Sequence, residues 1–327
     1  MDNPVSRRTF LKKSVGAAAL AGLGVCARSL PSWALSAYEE ARGAEAAVDL
    51  GVATGSPAWA VGRALDLIGG IGRFVKRGDF VLLKPNMSFG TPPEMGATTS
   101  PEVVKAVAIE CLEAGARRVL VADHTIRAAK VSLEYTGIEP ALKGLDGVQT
   151  AALNDESRYR KVSIPRGQAL REAAVAEELD RADVLVNLPV AKSHSATGVS
   201  LGIKNLMGLV WDRRVFHTGV LDQSIADLAT LIRPQLTIMD AMQAMVQGGP
   251  SGPGRTVRLN RIVAGVDDVA VDSYTVGLTK WYNRKFTGKQ VAHLAAASRM
   301  ELGQIDVDQL RIAFDQEAPR EENSQGE

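Results

Sequence analysis

Several short runs in this 327-residue chain place amides, ammonium groups, imidazoles and carboxylates directly after apolar stretches. They are Lys84-Pro85-Asn86, Asp123-His124-Thr125, Asn187 with Lys192-Ser193-His194, Asp240, and Asp267-Asp268 with Asp272 one turn further on. Each residue type has a plain chemical use. An ammonium group holds a carboxylate or phosphate, and an asparagine fixes its orientation. An imidazole moves a proton near neutral pH, and a buried carboxylate orients a base or a metal ion. One polar residue after a strand is ordinary and often only a cap. Repeated endings of this kind point to one shared crevice, because open α/β sheets bind ligands beyond the carboxyl ends of their strands.

On this reading His194, Lys192 and His124 are the candidate catalytic residues, with His194 first because Lys192 sits two residues away. Lys84, Asn86, Asp123, Asn187, Lys204, Asn205, Asp240 and Asp272 are the candidate binding residues for a ligand or cofactor. The richest segment, Pro189–Thr218, also carries Asp212, Arg213, Arg214 and His217, with Val199, Leu201, Ile203, Leu206 and Trp211 as apolar anchors. Positive side chains around a crevice favour a small anionic ligand. His124, His194 and His217 fall in loops and leave room for a His/carboxylate metal site, but no two have ligand-motif spacing; metal and cofactor stay unnamed. His293 lies in an ordinary helical pattern.

The elements that must position these residues alternate. Apolar runs at Ala46–Thr54, Phe80–Lys84, Val119–Ala122, Val184–Leu188, Leu236–Met239 and Arg261–Gly265 read as strands, with Gly147–Leu153 and Lys161–Ile164 as shorter ones and Leu310–Phe314 as a final edge. Helices are expected from Ser56-Pro57 to about Val75, after Ser100-Pro101, over Ala169–Asp180, Ser224–Ile232 and Val269–Lys280, and over Gln290–Met300. The long segment after Leu188 is expected as a loop. This order predicts an α/β fold: a largely parallel β-sheet with helices on both faces and the site at the carboxyl ends of the strands. A Gly-rich stretch, Gly248–Arg255, lacks the Gly-Lys-Ser/Thr ending of a nucleotide loop and reads as a surface loop or flap. No Gly-x-Gly-x-x-Gly follows the first strand, which disfavours the usual dinucleotide-binding fold.

Residues 1–37 stand apart. Arg7-Arg8-Thr9-Phe10-Leu11-Lys12, the apolar run Ser14–Ala27 and the small residues around Ala34–Ala37 resemble a twin-arginine export signal. That resemblance implies the twin-arginine translocase as a transient partner and a periplasmic or extracellular location. The 14 residues of Ser14–Ala27 fall short of the roughly 20 that a spanning helix needs, so no stable membrane anchor is expected. Without this segment, 33 Lys+Arg face 36 Asp+Glu and one cysteine, Cys111, remains. A slightly acidic chain without a basic block is not a nucleic-acid binder. One cysteine makes neither a disulfide nor an iron–sulfur site. A single α/β domain over 46–316 and a disordered tail at 319–327 complete the organisation.

Val81-Leu82-Leu83-Lys84-Pro85-Asn86, Val186-Asn187-Leu188-Pro189 with Lys192-Ser193-His194, and Thr197-Gly198 leading to Lys204-Asn205-Leu206-Met207-Gly208 resemble the domain of unknown function 362 family. Pro234–Ala241, Gly248–Gly252 and Ala264–Asp272 fit the same pattern, so the resemblance covers about Leu50–Lys280. Members of that family often accompany iron–sulfur ferredoxin modules. This chain has no cysteines for one, so a redox role requires a separate redox partner. In layout the strand ends are also similar to the nickel-pincer lactate racemases, an analogy only.

Two functions follow as expectations: an exported enzyme of undefined reaction on a small anionic substrate, dependent or not on a metal or redox cofactor, or a non-catalytic periplasmic protein that binds or delivers a cofactor or metal to a redox partner. A third reading makes the polar strand ends caps alone.

Overall fold

The computed structural model describes residues 48–216 and 220–318. Residues 1–37, expected as an export signal, residues 319–327, expected as a disordered tail, and His217 lie outside the described residues. In chain order the elements are β1 (Leu50–Thr54), α1 (Pro57–Leu67), β2 (Phe80–Pro85), α2 (Pro101–Glu113), β3 (Arg118–Asp123), α3 (Ala129–Tyr135), α4 (Ile138–Leu142) and β4 (Val148–Ala152). There follow β5 (Tyr159–Ser163), β6 (Glu172–Ala176), α5 (Glu178–Arg181), β7 (Val184–Leu188), β8 (Val190–His194), β9 (Gly198–Val199) and α6 (Leu201–Asn205). The rest are α7 (Leu221–Ala229), β10 (Leu236–Gln247), β11 (Arg255–Gly265), α8 (Asp268–Gly277), α9 (Ala292–Arg299) and β12 (Ile312–Gln316), with short 3₁₀ turns between.

One sheet has the order β12-β1-β11-β10-β7-β2-β3-β4, with β8 added beside β10 and β9 beside β8. Along this path β11 alone opposes its neighbours; the others run in one direction. The fold is therefore α/β with a mostly parallel sheet, as the alternation of elements predicts. Side chains alternate across the strands, as the pleat requires. Val81, Leu83, Val119 and Val121 pack against α1, α2 and α4 on one face. Leu82, Leu120 and Ala122 face the other core, which the β5–β6 hairpin shares with α6, α7, α8 and α9. Strands buried on both faces have to be continuously apolar, which is why they are legible in the sequence. Cys111 lies fully buried on α2, and burial pushes its thiol up to about 12, so it is a core residue and not a nucleophile.

Three expectations are corrected. The first helix stops at Leu67 and not near Val75, because Gly69 and Gly70 take positive φ (97° and 78°) and reverse the chain. The helix expected over Ala169–Asp180 is largely a strand. Glu172–Ala176 pairs antiparallel with Tyr159–Ser163, and only Glu178–Arg181 is helical. The Ala-rich run favours a helix by propensity, but tertiary bonds prevail. The buried Asp227 carboxylate takes the Ala169 and Leu170 N–H groups at 2.7 and 2.8 Å, and the Trp211 N–H donates to the Ala174 carbonyl. The segment after Leu188 is not a loop either: β8, β9 and α6 occupy it, and Lys204-Asn205 close a short helix. The Gly-rich stretch is the turn of the long β10–β11 hairpin. It lies on Ser193, whose hydroxyl accepts from the Gly249 N–H at 3.1 Å.

Candidate active site

The carboxyl ends of β2, β3 and β7 meet the end of α6 at one buried ammonium group. Lys84 is wholly inaccessible to solvent. Its Nζ lies 2.9 Å from Asp123 Oδ1 and donates to the Pro85 carbonyl at 2.6 Å and to Asn205 Oδ1 at 3.2 Å. Asp123 is held in turn through its other oxygen, which accepts from the Met87 N–H at 2.9 Å and the Ser88 hydroxyl at 3.0 Å. Asn205 joins the strands: its Oδ1 also accepts from Asn86 Nδ2 at 3.1 Å, and its Nδ2 donates to the Lys84 carbonyl at 3.1 Å and to Asn187 Oδ1 at 2.9 Å. Lys84 and Asn187 are register partners across β2 and β7, which fixes this geometry in the sheet itself. A Cβ on Gly208 would stand 1.9 Å from Asp123 Oδ1 and 2.8 Å from Lys84 Nζ, so the Lys-Asn-Leu-Met-Gly run needs glycine at its end.

Lys192, on β8, is the second buried ammonium. It donates to Asn86 Oδ1 at 3.1 Å and to the Ala97 carbonyl at 2.5 Å, and it sits 4.7 Å over the Phe89 ring. Burial, and then repulsion from Lys204, hold its amine well below the ordinary lysine range, against the pull of Asp123. Burial likewise lowers Lys84, with Asp123 opposing. Lys204 reaches the rim half-buried, and burial together with Arg213 lowers it to about 8. Among the described residues Lys192, Lys204 and Arg213 make no salt bridge.

The rim is aromatic. His124 stacks on Trp211 with ring centroids 5.0 Å apart and planes 6° from parallel, and Tyr159 tilts against both. Its Nδ1 lies 3.0 Å from the Val210 carbonyl, and Arg213 Nη2 donates to the His124 carbonyl at 2.9 Å. Burial lowers the His124 imidazole from its usual value. His194 is arranged in the opposite sense, with Nδ1 accepting from the Ala196 and Thr197 N–H groups at 3.1 and 3.4 Å.

The two remaining carboxylates hold backbone. Asp272 accepts from the Gly202 and Ile203 N–H groups at 2.6 and 3.0 Å, and so caps the first turn of α6. Asp240 accepts from the Ser100 N–H at 2.7 Å, ahead of α2, and from the Met242 N–H at 2.9 Å. Burial raises Asp272 well above the usual carboxylate range and Asp240 to about 6 despite these bonds. Asp267 caps α8 through the Ala270 N–H, and Asp268 bonds the Thr237 hydroxyl. His293 is fully buried with Nδ1 3.3 Å from Asp222. Among the described residues no three His, Cys, Asp or Glu side chains gather as a metal site. The structure therefore brings together Lys84, Asn86, Asp123, Asn187, Lys192 and Asn205, with Lys204 and His124 at the rim. Trp211, Arg213 and Tyr159 join them. The first two lie in the rich segment already noted, whereas Tyr159 comes from a distant hairpin with no local signal.

These residues fall within a family match. The model of the family described as "Domain of unknown function (DUF362)" covers residues 81–277, more than half of the chain. The chain belongs to the domain of unknown function 362 family. A curated relative, a thylakoid-associated protein of Synechocystis sp., is 33% identical over 224 residues, which are 64% of this chain and 65% of the relative. The chain thus spans just under two thirds of that relative's length. A crystal structure of a Thermotoga maritima protein aligns with a TM-score of 0.38 and 13% identity, over 57% of this chain and 51% of that one.

For this family member, Gly208→Ala is expected to separate Lys84 from Asp123 and cost about 3 kcal/mol or more in urea unfolding. Gly277→Ala, where an added Cβ meets nothing within 4 Å, is expected to stay within about 0.5 kcal/mol of the parent. The buried acids give a pH signature. Asp240 and Asp268 titrate near 6 when folded and near 3.8 when unfolded, so their stabilising protonation is complete below about 3.8 and is lost as pH rises through about 6. Asp240→Asn should therefore flatten the fall in urea midpoint between about pH 4 and pH 6. An unchanged slope would mean that Asp240 ionises normally in the fold.

Proposed function

We propose that this chain is an exported α/β protein whose strand-end crevice takes a small anion, and that it acts on that anion as an enzyme. One observation carries the reading. Lys84, Lys192, Lys204 and Arg213 crowd the same strand ends, and the salt-bridged carboxylate among them is Asp123, spent on Lys84. Like charges gathered away from water are costly, and an anion between them offsets that cost. Lys204 and Arg213 at the rim would meet the anion directly, while Lys84, Lys192 and the three asparagines hold the floor beneath it. His124 and His194 supply groups that move or share protons near neutral pH. A redox role would need a separate redox partner.

A non-catalytic carrier that binds or delivers a cofactor or metal uses the same crevice, so the two must be separated by His194→Gln. A carrier keeps its affinity in that variant, whereas an enzyme loses turnover. The anion itself is tested by titration calorimetry with phosphate, sulfate and small carboxylates. Saturable binding is expected, weakened by salt and about tenfold by Lys204→Gln. Absence of binding by every one of these anions would overturn the reading.

Export rests on Arg7-Arg8 and the short apolar run behind them. Arg7→Lys with Arg8→Lys is expected to retain the precursor in the cytoplasm, as followed by fractionation. Undiminished export of that double variant would refute the twin-arginine route.

A further inference from the structure

We propose that the crevice selects anions that carry a hydroxyl group, hydroxycarboxylates or hydrogen phosphates, and that His124 is the residue that selects them. This rests on the anion-binding reading above and adds a specificity to it.

The hydrogen bond to Val210 decides the tautomer. A carbonyl oxygen can only accept, so the contact at 3.0 Å places the proton of the neutral ring on Nδ1. Burial keeps the ring neutral below its ordinary 6.5, with Arg213 pushing the same way and Asp123 opposing. Nε2 then carries a lone pair and no proton. Among the described residues it has no hydrogen-bond partner, and the half-buried ring leaves it open to solvent.

The ring cannot turn away to hide that acceptor. It is stacked on Trp211, Tyr159 leans on its edge, its own N–H donates to the Gly208 carbonyl at 2.9 Å, and Arg213 holds its carbonyl. The charged and titratable groups facing it are Asp123 beside it, Arg213 from the following turn and Tyr159 from β5, with Lys84 behind Asp123. Asp123 is already engaged, through Oδ1 by the Lys84 ion pair and through Oδ2 by Met87 and Ser88. His194 does not compete, because its Nδ1 accepts two backbone N–H groups and the proton of its neutral ring is therefore on Nε2.

Lys204 and Arg213 offer donors to the oxygens of an anion, while His124 offers an acceptor. An anion with an O–H satisfies both. An anion without one turns a lone pair toward Nε2 and leaves it unpaired, which a site built around a hydroxyl penalises.

The test compares matched anions on the full chain by calorimetry: glycolate against acetate, and hydrogen phosphate against sulfate, at about pH 7.5. The hydroxyl-bearing member of a pair is expected to bind about tenfold tighter or better. Preference within the first pair alone marks a carboxylate ligand, and within the second alone a phosphate; either supports the selection. Once the pH falls through the pKa of the ring, which lies below the ordinary 6.5, the protonated imidazole becomes a donor, so sulfate should tighten and its gap to phosphate should close. His124→Phe keeps a ring against Trp211 and removes the acceptor, so it should bind both members of each pair alike. The ¹⁵N spectrum of the parent protein should show the His124 proton on Nδ1, and a proton on Nε2 would overturn the proposal even if the variant fails to fold. Equal binding within both pairs by the parent overturns the selection and leaves the anion reading standing. Failure of all four to bind overturns the anion reading itself.

Discussion

A lysine ammonium group with no access to water is the constraint around which this fold is arranged. Left unpaired in the interior, such a charge costs several kcal/mol, so each of its three protons requires an acceptor. For Lys84 the acceptors are the Asp123 carboxylate, the Pro85 carbonyl and the Asn205 amide, from three separate stretches of chain. Each supplier is itself pinned. Asp123 is held by Met87 and Ser88, Asn205 by Asn187 and the β2 backbone, and α6 by Asp272 at its first turn. The parallel sheet, the short helix and the glycine after it are three parts of one solution to a single buried charge.

The network has depth. Lys84, Lys192, Asn187 and Asn205 are buried and bonded to the chain, while Asn86, His124, Lys204, Trp211 and Arg213 are only half-buried. Groups that bond strongly to the protein set the field, and groups that still reach solvent can meet a ligand. For an anion of the kind proposed above, this division would make a preorganised site, because charges held by the chain would not have to rearrange on its arrival. The β10–β11 hairpin completes the arrangement by laying its glycine-rich turn on Ser193, next to the Lys192 that supports the floor.

Much of the sheet was legible because strands buried on both sides have few composition choices, as Phe80–Lys84 and Val184–Leu188 show. The polar strand ends were legible as residues that need partners: a lysine closing a buried apolar run must find an acceptor inside the fold, and Lys84 finds Asp123. What stayed hidden depends on partners distant in sequence. The Ala-rich run before Arg181 has helix propensity, and only its pairing with Tyr159–Ser163 and its bonds to Asp227 and Trp211 make it extended. Nothing local distinguishes Asp123, which pairs with a lysine, from Asp240 and Asp272, which hold backbone N–H groups. The pairing of Asp123 with Lys84 follows from strand order, and strand order is not written in any one segment.

The reversal at β11 has a geometric result for the molecule as a whole. Beyond that one backward strand, β1 and β12 lie side by side in parallel at the far edge of the sheet, four and five strands from Lys84's own. The first described strand nevertheless starts level with the buried lysine: Leu50 pairs with Gly265, Gly265 with Thr237, Thr237 with Asn187 and Asn187 with Lys84. The sheet is thus sheared: β1 begins at the height where β2 ends, and the far edge extends past the level of the buried lysine.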